Sequence, residues 1–240
     1  MIRRAPDYET KIMPHPTVHE CALAAKSAYT TDASAGPGIV QMFYGDLSSG
    51  FKGSYYQLNR PGAEAVICAF AGTEPETAED ILADVGFGAG IAPILGGIGA
   101  VLGAIGARQL EEQLYGATEM ARQSIVHAQR LRMPVIVTGH SLGGGLASMV
   151  ACRLGLPAVT CNAPATSQTG FRTCSQPICN VAIDGDPINH TLRIGARIGT
   201  TFLLKTGRTG GAAHNIDNTC AALKAGAYAS IGAQSALAPL

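Results

Sequence analysis

Tryptophan is absent from the 240-residue sequence, aromatic residues make up only 5% of it, and charge of neither sign is in excess. Seventeen lysines and arginines balance seventeen aspartates and glutamates, so the net charge favours neither nucleic acid nor an anionic surface as a partner. Glycine is instead abundant, at thirty residues, which predicts close backbone approaches and at least one unusual segment. The length and the 47% hydrophobic content fit a single domain over residues 1–240.

The sequence also shows no pattern that predicts a cleavable secretory signal. Residues 1–11 carry several charges and lead to no long apolar stretch. We therefore expect synthesis and folding in the cytosol, with any export taking a route that needs no such signal.

Seven cysteines, an odd number, lie mostly in apolar runs typical of helices and strands, and we expect them to be reduced core residues. The closely spaced pair is Cys174 and Cys179, which could bridge in an oxidising compartment. No second pair of Cys or His at close spacing accompanies them, so a zinc site is not expected. We expect no metal and no cofactor.

Helical and extended patterns alternate along the chain, which predicts an α/β fold with a mostly parallel central sheet and helices on both faces. Thr17 and Glu20 resemble a capping box at the start of the first helix. The predicted helices cover 18–29, 77–85, 108–130 and 142–154, and the predicted strands cover 54–58, 65–71, 135–137, 158–161, 180–183 and 200–204.

The most informative segment is the sequence GHSLGG at 139–144, which follows the apolar run at 135–137. Gly139 and Gly143 flank Ser141 where a side chain would collide with the neighbouring strand and helix, so the turn can be sharp. The helix expected from Leu142 onward would place unpaired N–H groups beside the serine hydroxyl. A strand, a sharp turn and a helix around one serine predict a nucleophile elbow, and hence a serine hydrolase. The alternative is a glycine-rich turn whose serine has no chemical role.

A serine nucleophile needs a base, and the base needs an acid to orient it; both are expected on loops after later strands, the acid first. Asp186 follows the strand at 180–183, and we favour it over Asp184, although either aspartate could merely cap a turn. His214 lies in a glycine-rich loop after the last strand and is the preferred base, with His190 as the alternative. The remaining histidines are too early in the chain, inside a helix, or directed away from the serine: His15, His19, His127 and His140.

These segments resemble the class 3 lipases, a fungal-type triacylglycerol lipase family with the α/β-hydrolase fold. The resemblance extends over 18–214 and also reaches bacterial phospholipase effectors that share this elbow. The matching segments are the opening helix at 18–29 with its terminal tyrosine, VICAFAGT at 66–73, DILADV at 80–85, the elbow at 139–144, NAP at 162–164 and DPI at 186–188.

The resemblance implies roles for five residues. They are Ser141 as nucleophile, Asp186 as orienting acid, His214 as general base, and Thr73 with Leu142 as the oxyanion-hole residues. The sequence departs from the family pattern at three points. These departures affect what the resemblance implies about a lid and an acyl-binding pocket more than what it implies about the three catalytic residues. Ala71 stands where an arginine is usual, the tryptophan near position 80 is missing, and only 28 residues separate the acid from the base.

Residues 86–107 form an uncharged apolar insert with eight glycines and one proline. The length would suffice for a membrane-spanning helix, which needs about 20 residues, but the glycines and the proline make it a poor single helix. We favour a flap over the active site, or an interfacial segment in transient contact with a membrane surface, because a lipase must offer apolar surface to aggregated substrate. The remaining alternative is close packing of glycine-rich backbone.

The sequence therefore predicts a serine carboxylic-ester hydrolase that acts on lipids, as a lipase or phospholipase A, through an acyl-enzyme. The expected partner is a lipid or ester substrate. A second hypothesis is a secreted, antibacterial-type lipase effector that a cognate inhibitor protein neutralises. A third is a catalytically silent binding module that retains the fold. The sequence predicts no particular oligomeric state.

Overall fold

The computed structural model describes residues 16–72, 107–166, 174–189 and 197–225. These residues form an eight-stranded sheet flanked by helices. The helices are α1 (Val18–Ser27), α2 (Ala107–Leu131), α3 (Leu142–Leu154), α4 (Gly210–His214) and α5 (Ile216–Lys224). The strands are β1 (Ser34–Gly36), β2 (Ile39–Asp46), β3 (Lys52–Leu58), β4 (Ala65–Phe70), β5 (Val135–His140), β6 (Ala158–Cys161), β7 (Ile178–Ile183) and β8 (Thr200–Leu204).

The strands lie in the sheet in chain order, from β1 at one edge to β8 at the other. Neighbours from β1 to β4 pair antiparallel, whereas neighbours from β4 to β8 pair parallel. Because parallel strands all end at the same side of a sheet, the residues that follow β5, β6 and β7 gather there. The predicted α/β-hydrolase architecture, with a mostly parallel sheet, is confirmed.

Two apolar clusters cover the two faces of the sheet. On one face, residues of α1 and α5 such as Cys21 and Leu223 pack against strand residues that include Ile67. On the other face, residues of α2 and α3 such as Ala117 and Leu146 pack against the strands. The helices therefore lie on both faces, as predicted, and β4, buried at every position, is enclosed between them.

The capping box predicted for the first helix is present. The Thr17 hydroxyl accepts a hydrogen bond from the Glu20 N–H at 3.1 Å, and the Glu20 carboxylate accepts one from the Thr17 N–H at 2.7 Å. Glu20 also forms an ion pair with Arg60 at 2.7 Å, so the helix start is tied to the loop between β3 and β4. The ion pair helps to hold α1 against the sheet. Tyr29, just beyond the C-terminal end of α1, lies in the site described below.

Several elements differ from the sequence-based predictions. The strands β1 and β2 were not predicted. In β2, apolar residues including Val40, Met42 and Phe43 are exposed, so its sequence lacks the alternation of apolar and polar residues that indicates a strand. The predicted loop around His214 is the short helix α4, and the helix α5 that follows was not predicted. The predicted helix at 77–85 and residues 86–106 of the apolar insert lie outside the described residues.

A disulfide joins Cys152 of α3 to Cys174, with 5.2 Å between their Cα atoms. The prediction that all cysteines are reduced is therefore wrong for these two, and Cys174 does not bridge to Cys179, which is a free thiol. Cys152 lies in an apolar helix, and this position led to the wrong prediction because a cysteine in such a helix is usually a reduced core residue. The other five thiols are free, as predicted, and burial raises the pKa of Cys68 to about 12, so this thiol is an unreactive core group.

Within residues 16–72, 107–166, 174–189 and 197–225, no helix has both the length and the apolar character needed to cross a membrane.

Candidate active site

Ser141 lies in a strained turn between β5 and α3. Its backbone has φ 55° and ψ −127°, a conformation that residues other than glycine rarely adopt. Hydrogen bonds on both sides hold it: the Ser141 N–H donates to the Cys161 carbonyl at 3.0 Å, and its carbonyl accepts from the Gly144 N–H at 2.9 Å. The predicted nucleophile elbow is therefore built as a strand, a strained serine and a helix.

Two glycines make this turn sterically possible. A Cβ on Gly143 would overlap the Phe70 carbonyl oxygen and lie 2.5 Å from the Ala71 carbonyl oxygen. A Cβ on Gly139 would overlap the Gly143 carbonyl and lie 2.8 Å from the Gly144 nitrogen. Because the opposing atoms are backbone, no side chain can rotate away, and only glycine fits at either position.

Three side chains from separate elements meet at the end of the parallel strands. The Ser141 Oγ lies 2.9 Å from His214 Nε2, and His214 Nδ1 lies 3.0 Å from Asp186 Oδ2. Since a carboxylate only accepts hydrogen bonds, His214 Nδ1 carries a proton, and the lone pair of Nε2 accepts the serine proton. The arrangement can deprotonate the hydroxyl and stabilise the imidazolium that forms.

Each member of the trio is held by its own element. His214 is the last residue of α4, and Asp186 follows β7, where its Oδ1 accepts the Ile188 N–H at 2.9 Å. The imidazole and the carboxylate are almost fully buried, with side chains 6% and 0% exposed. Burial strengthens the hydrogen bond between them because little water competes for either group.

The other candidates fall in different places. Asp184, the alternative acid, is exposed and lies outside the trio. His190, the alternative base, and Thr73, a predicted oxyanion-hole residue, lie outside the described residues. Leu142 opens α3 beside Ser141, and helix geometry gives the N–H of such a first residue no acceptor within the helix.

His140, which the sequence placed in the elbow and away from the serine, packs beside His214. Its ring centroid lies 4.8 Å from that of His214, and its Nε2 lies 2.7 Å from the His214 carbonyl oxygen. Burial, and next the neighbouring His214, lowers the pKa of His140 from 6.5 to about 3. The imidazole of His140 is therefore neutral near neutral pH.

Asn162 and Tyr29 also reach the site, although sequence reasoning assigned neither a role there. Asn162 directly follows β6 and has φ 50°, and its Nδ2 donates to the His214 carbonyl at 3.0 Å. The Tyr29 hydroxyl lies 2.8 Å from His140 Nδ1. The available signals were the NAP sequence at 162–164 and the tyrosine that closes the first helix; both indicated a resemblance but not a contact.

A buried arginine supports the loop that carries the acid. Arg197 Nε donates to the Ala163 carbonyl at 2.6 Å, and its Nη2 donates to Asn189 Oδ1 at 2.8 Å. Burial lowers the pKa of Arg197 to about 10, and the Asp186 carboxylate opposes that shift. The guanidinium thus remains charged near neutral pH.

In the part of the chain that the structure describes, no group of three or more His, Cys, Asp or Glu side chains could hold a metal ion.

A family model matches part of the sequence, and solved structures match the fold. Residues 109–197 match a family model described as a Tle-like phospholipase domain, of the phospholipase-like kind. That range includes the elbow and Asp186 but ends before His214. None of the curated protein sequences matches the chain significantly.

Solved lipase structures share the fold at low sequence identity. Lipase II from Rhizopus niveus has a TM-score of 0.55 at 17% identity, covering 79% of this chain and 80% of its own. The lipase from Rhizopus microsporus var. chinensis has a TM-score of 0.56 at 14% identity, covering 87% and 84%. The triacylglycerol lipase from Penicillium expansum has a TM-score of 0.50 at 20% identity, covering 82% and 80%. These matches establish the α/β-hydrolase fold.

Proposed function

We propose that this α/β-hydrolase of the lipase and phospholipase type cleaves carboxylic esters of lipids through an acyl-enzyme formed on Ser141. The observation that carries the proposal is the unbroken hydrogen-bonded series from Asp186 through His214 to the strained serine. The phospholipase family match and the lipase fold support a lipid ester as the substrate.

Acylation begins when Ser141 Oγ attacks the ester carbonyl carbon and its proton passes to His214 Nε2, 2.9 Å away. The carbonyl oxygen becomes an oxyanion beside the first residues of α3. His214 then returns the proton to the departing alcohol oxygen as the bond from that oxygen to the carbonyl carbon breaks. The products of this half-reaction are the free alcohol and an ester between the acyl group and Ser141.

Deacylation repeats the same steps with water as the nucleophile. His214 removes a proton from water, the hydroxide attacks the acyl carbon, and the proton returns to Ser141 Oγ as the acid is released. Asp186 keeps the proton of His214 on Nδ1 throughout, so Nε2 always faces the serine. The carboxylate also stabilises the imidazolium that exists between the two proton transfers.

The oxyanion is expected to be bound by backbone N–H groups. Leu142, at the start of α3, is well placed to supply one donor, and the resemblance implies Thr73 as the other. One such donor is commonly worth about 3 kcal/mol of transition-state stabilisation.

The experiment that tests the proposal is hydrolysis of a short p-nitrophenyl ester and of a phospholipid by the wild type and by Ser141→Ala. We expect the variant to lose hydrolysis of both substrates. Ser124→Ala is the matched control because Ser124 is a buried serine of α2 that donates to the Ala121 carbonyl at 2.7 Å, and it should retain full activity. Undiminished hydrolysis by Ser141→Ala would refute the proposal.

We also propose that the insert at 86–107 meets the surface of aggregated lipid. Its support is the composition, since it is apolar and uncharged. Deleting residues 93–99 should depress hydrolysis of micellar substrate more than hydrolysis of a soluble ester. An equal loss on both would count against this contact.

A second candidate function is an exported lipase effector that a cognate inhibitor protein neutralises. The disulfide between Cys152 and Cys174 favours it, since such bonds persist in oxidising compartments outside the cytosol, and so does the Tle-like family match. Directing the protein to the bacterial periplasm should slow growth of the host, and Ser141→Ala should relieve that effect. Equal growth with both proteins would argue against this function.

A further inference from the structure

The backbone carbonyl of His214 is held by two side chains from neighbouring strands. His140, at the end of β5, approaches it through Nε2 at 2.7 Å. Asn162, just beyond β6, donates to it through Nδ2 at 3.0 Å. The catalytic imidazole belongs to a five-residue helix, which is too short to be rigid by itself, so these two bonds help to hold the base in place.

The directions of the hydrogen bonds around His140 follow from the chemistry of the groups. A carbonyl oxygen cannot donate, so His140 Nε2 carries the proton that points at His214. Since His140 is neutral, its Nδ1 then has a lone pair, and the Tyr29 hydroxyl donates to it at 2.8 Å. The oxygen of Tyr29 in turn accepts the Gly72 N–H at 2.9 Å.

The result is a directional chain that runs from the Gly72 N–H to the Tyr29 hydroxyl, through His140, to the His214 carbonyl. Its members lie 43, 111 and 74 residues apart in sequence at the three steps. Burial lowers the pKa of His140 to about 3, so the imidazole is neutral and these bonds keep their direction near neutral pH.

The Gly72 end of this chain lies against the nucleophile. A Cβ on Gly72 would come within 2.7 Å of the His140 carbonyl oxygen and the Tyr29 hydroxyl oxygen, and within 2.8 Å of Ser141 Cβ. The backbone at Gly72 is thus in close contact with the elbow and leads directly into Thr73. A displacement of Tyr29 would therefore move both the Gly72 backbone on one side of Ser141 and, through His140, the His214 backbone on the other.

We propose that Tyr29 and His140 are positioning residues that act as one unit, setting the distance between the catalytic base and the backbone at Gly72 on the two sides of Ser141. This inference rests on the proposed function, because it assigns the pair to the same ester hydrolysis. The pair acts through the His214 carbonyl and through the Gly72 backbone.

Tyr29→Phe removes one oxygen and leaves two hydrogen-bonding groups, one buried and one partly buried, without this partner. The Gly72 N–H loses its acceptor, and His140 Nδ1 loses its donor. We expect kcat to fall by roughly 10- to 100-fold, the range for unpaired buried polar groups, with little change in KM, because the bonds place catalytic groups and do not bind substrate. Tyr56→Phe is the matched control, since Tyr56 lies in the same core cluster and bonds to none of the described site residues, and its kcat should be unchanged.

Two variants of His140 separate its hydrogen bonds from its volume. His140→Leu has similar size but neither donates nor accepts, and it should lose kcat to the same extent as Tyr29→Phe. His140→Gln offers an N–H to the His214 carbonyl and an oxygen to the Tyr29 hydroxyl, so it should recover most of the lost kcat. If only packing mattered, leucine and glutamine would behave alike.

A double-mutant cycle tests whether the pair is one unit. Tyr29→Phe combined with His140→Leu should be no slower than the slower single variant, because either change already breaks the chain. Multiplication of the two losses would show independent roles and would overturn the coupling.

Nitrogen-15 NMR of labelled histidines gives a readout that does not depend on turnover. Wild-type His140 should show a protonated Nε2 and a bare, hydrogen-bonded Nδ1, with no titration near neutral pH, and Tyr29→Phe should shift the Nδ1 resonance. The opposite tautomer would overturn the inference. An active wild type with unchanged Tyr29→Phe and His140→Leu would also overturn it and leave the proposed function standing, whereas a wild type inactive on every ester would refute the proposed function itself.

Discussion

Ser141 and His214 are held in place in two different ways. The serine is fixed by its own backbone, which passes through a strained φ of 55° and is packed against neighbouring backbone at Gly143. The histidine belongs to a short helix and is fixed from outside, by side chains that arrive from β5 and β6. The first arrangement is rigid and encoded in six consecutive residues, whereas the second depends on contacts between distant parts of the chain.

A change in the backbone at the elbow should have the largest effect on stability. In Gly143→Ala the new Cβ meets the carbonyl oxygens of Phe70 and Ala71, which are backbone atoms and cannot rotate away as a side chain could. We expect a loss of about 4 kcal/mol or more in the free energy of unfolding and no measurable esterase activity. Urea denaturation and p-nitrophenyl ester hydrolysis measure both effects.

The same helix offers a control for that change. A Cβ on Gly145 would lie 3.4 Å from Pro164 Cγ, an ordinary contact, and alanine favours the helix over glycine by about 1 kcal/mol. Gly145→Ala should therefore fold at least as stably as the wild type. Equal stability of the two variants would contradict the account of the elbow.

The disulfide ties the helix that follows Ser141, α3, to the segment before β7, the strand that leads to Asp186. Replacing both Cys152 and Cys174 with alanine releases a loop of 22 residues and should cost about 3 kcal/mol of unfolding free energy. Activity at low temperature should persist because neither sulfur touches the triad. Cys179→Ala, at a free thiol, should cost much less, and a similar loss in both would show that the cross-link contributes nothing.

Removing a clamp on the base should have a smaller effect on stability. Asn162→Gly keeps the backbone free to adopt φ 50° but removes the donor to the His214 carbonyl and the acceptor of the Ile183 N–H. We expect a loss of about 2 kcal/mol in unfolding free energy and a lower kcat with little change in KM.

A partly exposed asparagine provides the comparison for Asn162. Asn218 donates to the Ala212 carbonyl of the same short helix at 2.8 Å, but it contacts the helix away from the base. Asn218→Ala should leave kcat unchanged. Equal losses in kcat from both variants would mean that any bond to α4 matters, and that the clamp on His214 has no special role.

The pH dependence of stability should reveal the buried His140. Its pKa is about 3 in the folded protein against 6.5 as an unperturbed group, so between these values the unfolded chain binds the additional proton. Stability must then fall as the pH falls through this window, by about 1.4 kcal/mol per pH unit for one group. His140→Gln removes this contribution, so its unfolding free energy should fall less steeply with acidification. Parallel curves for the two proteins would contradict the burial of a neutral imidazole.

The sequence allowed the elbow to be predicted because its constraints are local. Gly139 and Gly143 lie two residues from Ser141. An apolar strand comes directly before the turn and a helix directly after it, and the structure has each of these features. Asp186 and His214 were identified from their order after successive strands, which follows from parallel topology, and the structure brings both to the serine.

The supporting contacts could not be predicted in the same way. The helix α4 has the sequence GGAAH, which carries no helical periodicity, and its position depends on Asn162, 52 residues away. The bond between Tyr29 and His140 spans 111 residues. A local pattern contains no information about such pairs, because they form only when separate elements pack at the end of the sheet.

The central claim is that Ser141 is a nucleophile activated by His214 and Asp186. The most direct measurement is mass-spectrometric mapping of the adduct formed with a fluorophosphonate, together with the rate of its formation in the wild type, His214→Ala and Asp186→Asn. We predict a single adduct on Ser141 in the wild type, and labelling at least a hundredfold slower, on the order of the effect of losing a general base, in His214→Ala. An adduct on another residue, or an undiminished rate without the imidazole, would contradict the claim.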